Sequence, residues 1–316
     1  MAPSGGSSAS GSTAEGPTLT HTVLGSAMSG LMSRLLCHPF DTVKARLQST
    51  DAKRYSGLVH CLRLTLAEEG VRGLYRGFGA VAVGGTPAAC LYLTSYEVLK
   101  KLMGMDSPVG HFTAGMGAEA VACAIFVPVD VVKERLQVQR LGATPIASTG
   151  GAAPPTYAGS FDAVCKVVQM EGVMGLYKGY GATMFSFGPF SALYFLFYEQ
   201  AKLLAAAAEG APSVSSLSTA STMAATAASG ALASVTTNPL DLAKLRFQTQ
   251  VRLKPGEAVP EGHLTGFGHA LRVVYQEGGF PGLFRGAGAR VAFHMPSTCI
   301  TFTCFEECRR LMQKLI

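Results

Sequence analysis

Three segments of the chain place the same charged residues at the same spacing. They are Pro39-Phe-Asp41-Thr-Val-Lys44-Ala-Arg46-Leu-Gln48, Pro128-Val-Asp130-Val-Val-Lys133-Glu-Arg135-Leu-Gln137 and Pro239-Leu-Asp241-Leu-Ala-Lys244-Leu-Arg246-Phe-Gln248. Each carries an acid two residues after its proline, bases five and seven after, and a glutamine nine after. An acid and a base three apart share one helical face, so each segment presents a paired charge. One such pair on a wet surface is worth ~0–1 kcal/mol. Three in register, each at the end of an apolar stretch, point to charges that meet one another. No nucleophile–base or metal-ligand constellation accompanies them, which argues against an enzyme.

A second charge set follows a second landmark. Gly73-Leu-Tyr75-Arg76-Gly77, Gly175-Leu-Tyr177-Lys178-Gly179 and Gly282-Leu-Phe284-Arg285-Gly286 each precede a proline by ten residues, Pro87, Pro189 and Pro296. Ten further on stand Glu97, Glu199 and Glu306, each after an aromatic (Tyr96, Tyr198, Phe305) and three before a base (Lys100, Lys202, Arg309).

The elements that must position these charges come in pairs. The first apolar stretch of each repeat ends at the proline motif, over roughly 21–39, 110–128 and 217–239. The second starts at the glycine landmark, over roughly 77–103, 179–204 and 286–312. About 20 residues of helix cross a hydrocarbon core of ~30 Å. The spacing therefore predicts six transmembrane helices in three repeats, over residues 21–105, 106–208 and 209–316, with both termini on one side. A short amphipathic pattern between the two stretches starts near Gly57, Gly159 and Gly266. Residues 141–156 and 251–263 read as longer loops in repeats two and three.

Composition agrees with a membrane protein. Of the 316 residues 48% are hydrophobic and 15% charged, against roughly 25% charged in soluble domains. Glycine contributes 37 residues, as close helix packing in membranes favours. A net charge of +6 is too mild for nucleic acid and suits anionic lipid or solutes. The eight cysteines form no CxxC and read as free thiols. Residues 1–20 read as a disordered tail with neither a secretory signal nor an Arg-rich presequence.

The triplicated Pro-x-Asp-x-x-Lys and the downstream Gly-x-aromatic-base-Gly resemble the mitochondrial carrier family over residues 21–313. The resemblance implies an all-α membrane bundle of six helices about a pseudo-threefold axis, with short helices on the matrix side. It implies a multi-pass protein of the mitochondrial inner membrane with both termini in the intermembrane space, expected as a monomer. Proline kinks would draw the odd helices together, and the charges would form a matrix gate in which Asp41 pairs with Lys133, Asp130 with Lys244 and Asp241 with Lys44. Gln48, Gln137 and Gln248 resemble the family's glutamine braces. Glu97, Lys100, Glu199, Lys202, Glu306 and Arg309 would form the cytosolic gate, with Tyr96 and Tyr198 as braces and Phe305 unable to act as one. Gly57, Gly77, Gly159, Gly179, Gly266 and Gly286 precede helices whose exposed amides can hold phosphate; the resemblance implies cardiolipin there, and no other cofactor. Glu69 and Glu171 directly precede Gly70 and Gly172, whereas in repeat three the acid is Glu277, one residue earlier, which shifts a linker-end bond.

The solute must bind between the gates, where symmetry breaks. Three and two residues before the even-helix prolines stand Gly84, Ser186 and Phe293, then Gly85, Phe187 and His294; six before stand Val81, Thr183 and Arg290. With Arg34 and Glu119 in the first stretches, these are the candidate substrate contacts: Arg34, Gly84, Glu119, Ser186, Phe187, Arg290, Phe293 and His294. Arg34 and Glu119 either pair with each other or serve a ligand bearing both charges, an amino-acid-like zwitterion. Glu119 with Val121-Ala-Cys123 resembles S-adenosylmethionine carriers, although Ser186-Phe187 replaces their Arg-Glu pair. Ala289-Arg290-Val291 and Met295-Pro296-Ser297-Thr298 resemble mitoferrins, although Arg34 and Ala89 fall near the places of the mitoferrin histidines. The expected cargo is a small zwitterion or cation such as S-adenosylmethionine; an iron or divalent-metal carrier, or an anion or proton leak, remains as the alternative.

Overall fold

The computed structural model describes residues 19–103, 108–139, 155–210, 213–251 and 263–314. Among them there is no strand. The helices are α1 (Leu19–Gln48), α2 (Leu58–Leu74), α3 (Phe78–Met103), α4 (Pro108–Val138), α5 (Ser160–Glu171), α6 (Val173–Leu176), α7 (Tyr180–Glu209), α8 (Thr219–Thr236), α9 (Asn238–Thr249), α10 (Phe267–Leu283) and α11 (Ala287–Lys314). Most of the expected tail, residues 1–18, and most of the two expected loops, 140–154 and 252–262, lie outside the described residues.

Each repeat is a long helix, a short amphipathic helix and a second long helix. The long helices close into one ring, in the order α1, α3, α4, α7, α8, α11 and back to α1, each packing on the next. The proline-motif ends converge, because α1, α4 and α9 also touch one another. Pro39 and Pro128 lie inside continuous helices. The third long helix is divided instead. Its α8 ends before Thr237 and α9 restarts at Asn238 with Pro239 in its first turn, where a missing N–H leaves no bond broken.

Glycine closes the ring between repeats. Gly77, Gly179 and Gly286 have φ of 81°, 83° and 78°, a region side chains avoid. A Cβ at Gly77 would stand 2.8 Å from the Lys133 carbonyl, at Gly179 2.5 Å from Gln248 Cγ, and at Gly286 2.8 Å from Gln48 Cγ. Repeat one thus packs on two, two on three and three on one through the same backbone approach.

Large apolar side chains point outward. Val83, Leu102, Phe185 and Leu204 are 71–79% exposed, and large exposed apolar surface marks a face that meets a membrane or a partner. Among the described residues two helices, over Phe78–Leu102 and Gly110–Val138, are long and apolar enough by themselves to cross a membrane. Cys37, Cys61 and Cys123 are buried free thiols, whereas Cys90 is exposed.

Candidate functional site

Where the odd helices converge, three ion pairs form a closed ring. Lys133 lies 3.2 Å from Asp41, Lys244 2.9 Å from Asp130 and Lys44 2.7 Å from Asp241. Every pair joins the lysine of one repeat to the aspartate of another, which requires all three helix faces to point at one axis. Lys133 also stands 3.8 Å from Asp130 on its own helix. These side chains are half-buried, which strengthens attraction relative to bulk water.

The three glutamines do not behave alike. Gln137 donates to Asp41 at 3.2 Å and to the Thr42 hydroxyl at 3.3 Å. Gln48 donates instead to Asn238 at 3.1 Å, and Gln248 to the Thr183 hydroxyl at 3.4 Å. The expected brace geometry is therefore present for Gln137 and absent for Gln48 and Gln248. The neighbours explain this. Thr183 supplies an acceptor near Gln248, Asn238 supplies one near Gln48, and the equivalent of Thr183 in repeat one, Val81, supplies none.

Among the described residues the opposite end shows no such ring. Glu97 and Glu199 are exposed, and among the described residues neither they nor Lys100 and Lys202 form an ion pair. Tyr96 hydrogen-bonds His111 at 3.0 Å, a residue the spacing analysis did not single out. The Tyr198 ring stacks on Tyr194 and lies 4.4 Å beneath the Lys202 ammonium. Neither tyrosine braces an ion pair here, because none is formed beside it. The side chains of Phe305, Glu306 and Arg309 lie outside the described residues.

Between the two ends, Glu119 is 7% exposed and accepts only a weak bond from the Cys123 thiol at 3.6 Å. Arg34 is half-buried and lies against Gly85, where its guanidinium would stand 3.0 Å from an added Cβ. The two form no ion pair with each other or with any other described residue. Ser186 Oγ is buried without a hydrogen-bond partner among the described residues. Phe187 meets Tyr92 edge-on, and His294 stacks on Phe190 and meets Phe293 edge-on.

Two expected contacts are placed differently. Arg290 is buried and already engaged. It donates to the Ser234 carbonyl at 2.9 Å and the Thr237 hydroxyl at 3.0 Å, lies 3.6 Å from Asp241 and covers the Phe190 ring at 5.5 Å. Gly84 serves helix packing, since a Cβ there would come within 2.1 Å of Val129.

A family model described as mitochondrial carrier protein matches residues 15–107, 104–207 and 215–315. The chain belongs to the mitochondrial carrier family. It is 32% identical to mitochondrial substrate carrier family protein E of Dictyostelium discoideum, over 93% of this chain and 96% of that one. It is 31% identical to human mitoferrin-2, over 95% and 79%, and 30% identical to the mouse mitochondrial S-adenosylmethionine carrier protein, over 94% and 97%. It is accordingly a multi-pass solute transporter of the mitochondrial inner membrane.

The carrier's repeats are interlocked just outside the ring. Arg46 grips both oxygens of Glu69, at 2.7 and 2.9 Å, and Arg135 grips both of Glu171. Arg246 holds one oxygen of Glu277, at 2.7 Å. Each of these arginines also reaches the last carbonyls of the next odd helix: Arg46 to Gln137, Arg135 to Gln248, Arg246 to Gln48. A cation suits a helix C-terminus. Glu69 and Glu171 side chains are 1% exposed but Glu277 is 40% exposed, so moving the acid one residue earlier loosens the third link. Their signal in the sequence is the base seven residues after each proline.

The six glycines expected to hold lipid each stand directly before a helix: Gly57, Gly159 and Gly266 before α2, α5 and α10, and Gly77, Gly179 and Gly286 before α3, α7 and α11. Gly57 and Gly286 line one cleft of about 520 Å³ together with Tyr55 and Arg285.

Proposed function

We propose that this carrier moves a small zwitterionic or cationic amino-acid-like metabolite, of the chemistry of S-adenosylmethionine, by alternating access through six transmembrane helices. The observation that carries the reading is Glu119, a buried carboxylate that forms no ion pair among the described residues. A charge at membrane depth costs at least ~2.5–3.5 kcal/mol, and an ammonium or sulfonium on the solute would offset it. Arg34, also without an ion-pair partner among the described residues, would take the solute carboxylate. Phe187 and Phe293 would stack on a cation or a base ring, worth ~0.5–2 kcal/mol each. The similarity to the S-adenosylmethionine carrier protein supports this class.

In this scheme the Asp–Lys ring is the matrix gate, closed in the present conformation, with Gln137 bracing one pair. Glu97, Lys100, Glu199, Lys202, Glu306 and Arg309 would pair when the cytosolic gate closes. The termini would face the intermembrane space, the protein would act as a monomer, and cardiolipin phosphates would lie on the helix starts at the six glycines, with Arg285 adding charge in the Gly57–Gly286 cleft.

A metal cargo is the second reading. Cys123 Sγ lies 4.0 Å from Met184 Sδ beside Glu119, and a mitoferrin is among the similar proteins. Against it, no group of three His, Cys, Asp or Glu side chains among the described residues is arranged to hold a metal ion. A thermal-shift screen of the purified carrier separates the two, because a ligand of the folded state raises its melting temperature. S-adenosylmethionine should stabilise it; stabilisation by Fe²⁺ alone, or by a polyanion alone, overturns the reading.

A further inference from the structure

The ring holds one acid more than its three pairs require. Glu134 follows Lys133 on α4, where the other repeats have Ala45 and Leu245. It is 6% exposed, its Oε2 is buried without a hydrogen-bond partner, and it forms no ion pair among the described residues. The charged groups facing it are Lys44 of α1, Lys244 of α9, and Asp130 and Lys133 of its own helix. The charged residues of α3 and α7 lie at the far ends of those helices, and Glu171 of α5 is held by Arg135.

All three lysines are already engaged by aspartates, at 2.7, 3.2 and 2.9 Å. The ring's fourth cation, Arg290, lies at Asp241, 3.6 Å away, so Glu134 is left without an ion-pair partner among the described residues. Burying a carboxylate without a counter-ion is far more costly than burying the neutral acid, so this packing favours the protonated form.

We propose that Glu134 is a proton-binding site of the ring: it holds a proton while the three pairs are closed and releases it when they open. On opening, the O–H bond breaks, the proton passes to matrix water, and the carboxylate left behind is offset by the lysines that the aspartates release. On closing, one proton is taken up. The closed-state half rests on packing alone; the release rests on the alternating-access reading above.

The test compares melting temperatures of the full-length wild type and Glu134→Gln at about pH 5 and about pH 8. A buried acid that keeps its proton above the ordinary glutamate value of ~4.3 makes the wild type lose stability as pH rises past that value; glutamine does not titrate. The advantage of Glu134→Gln over wild type should grow by several degrees between the two pH values. Glu134→Ala, which installs the side chain of repeat one, gives the same comparison if the glutamine variant fails to fold. A pH-independent difference, or a variant less stable at the higher pH, overturns the proposal. In proteoliposomes, S-adenosylmethionine counter-exchange by wild type should slow several-fold as internal pH falls over the same range, and Glu134→Gln should not respond. Absence of any S-adenosylmethionine exchange sinks the solute reading, while the melting comparison still decides the proton site.

Discussion

The guanidinium of Arg290 lies 3.6 Å from the carboxylate of Asp241, which Lys44 already holds at 2.7 Å. One of the three ring acids thus has a cation from α11 as well as its inter-repeat partner. Arg290 also ties α11 to α8 through the Ser234 carbonyl and to the Thr237 hydroxyl where the third odd helix divides. Arg290→Gln should lower stability by ~2–4 kcal/mol, since a buried carboxylate loses a cation and two acceptors lose their donor. A melting temperature within a degree of wild type would show that these contacts carry little energy.

The ring pairs can be tested by charge exchange. Lys133→Glu leaves Asp41 unpaired and sets a like charge against it, so transport should fall by at least tenfold while expression holds. Adding Asp41→Lys should restore part of the loss, because a pairwise interaction appears as the coupling term of the double-mutant cycle. Additive losses would show that the 3.2 Å contact is not used in the cycle.

Much of this arrangement was legible because repetition is read in register. The three-repeat all-α fold follows from residues recurring at fixed offsets, and Asp41, Asp130 and Asp241 stand beside lysines three residues further along other helices. What escaped was asymmetric. Arg290 occupies the place of Val81 and Thr183, and only its neighbours Ser234 and Thr237, distant in sequence, decide that it belongs to the ring and not to the free cavity. Gln48 and Gln248 keep the spacing of Gln137 but meet Asn238 and Thr183, acceptors that spacing does not encode. Glu134 had no counterpart in the other repeats, so comparison by register passed over it.

The three arginine–glutamate links should differ in strength. Glu171→Gln removes one half of a buried two-point pair and should cost about 3–5 kcal/mol. Glu277→Gln removes a single bond from an acid that is 40% exposed and should cost about 1–2 kcal/mol. Thermal unfolding of the two variants side by side gives the ranking, and equal losses would contradict it.

The thiol of Cys61 on α2 is fully buried, and burial pushes its pKa up to about 11. The thiolate is the reactive form. Maleimide should therefore label exposed Cys90 well before Cys61 near neutral pH, with Cys61 labelling rising about tenfold per pH unit until its pKa is approached. Labelling of Cys61 as fast as that of Cys90 would mean that α2 opens in solution.

The most direct test of the transport account is S-adenosylmethionine counter-exchange by Glu119→Gln in proteoliposomes. The substitution keeps shape and removes the buried charge. The account predicts a variant that folds and melts like wild type, or slightly higher since no carboxylate need be buried, yet exchanges at least tenfold more slowly. Exchange at the wild-type rate would contradict the assignment of Glu119 as the site of the solute's cation.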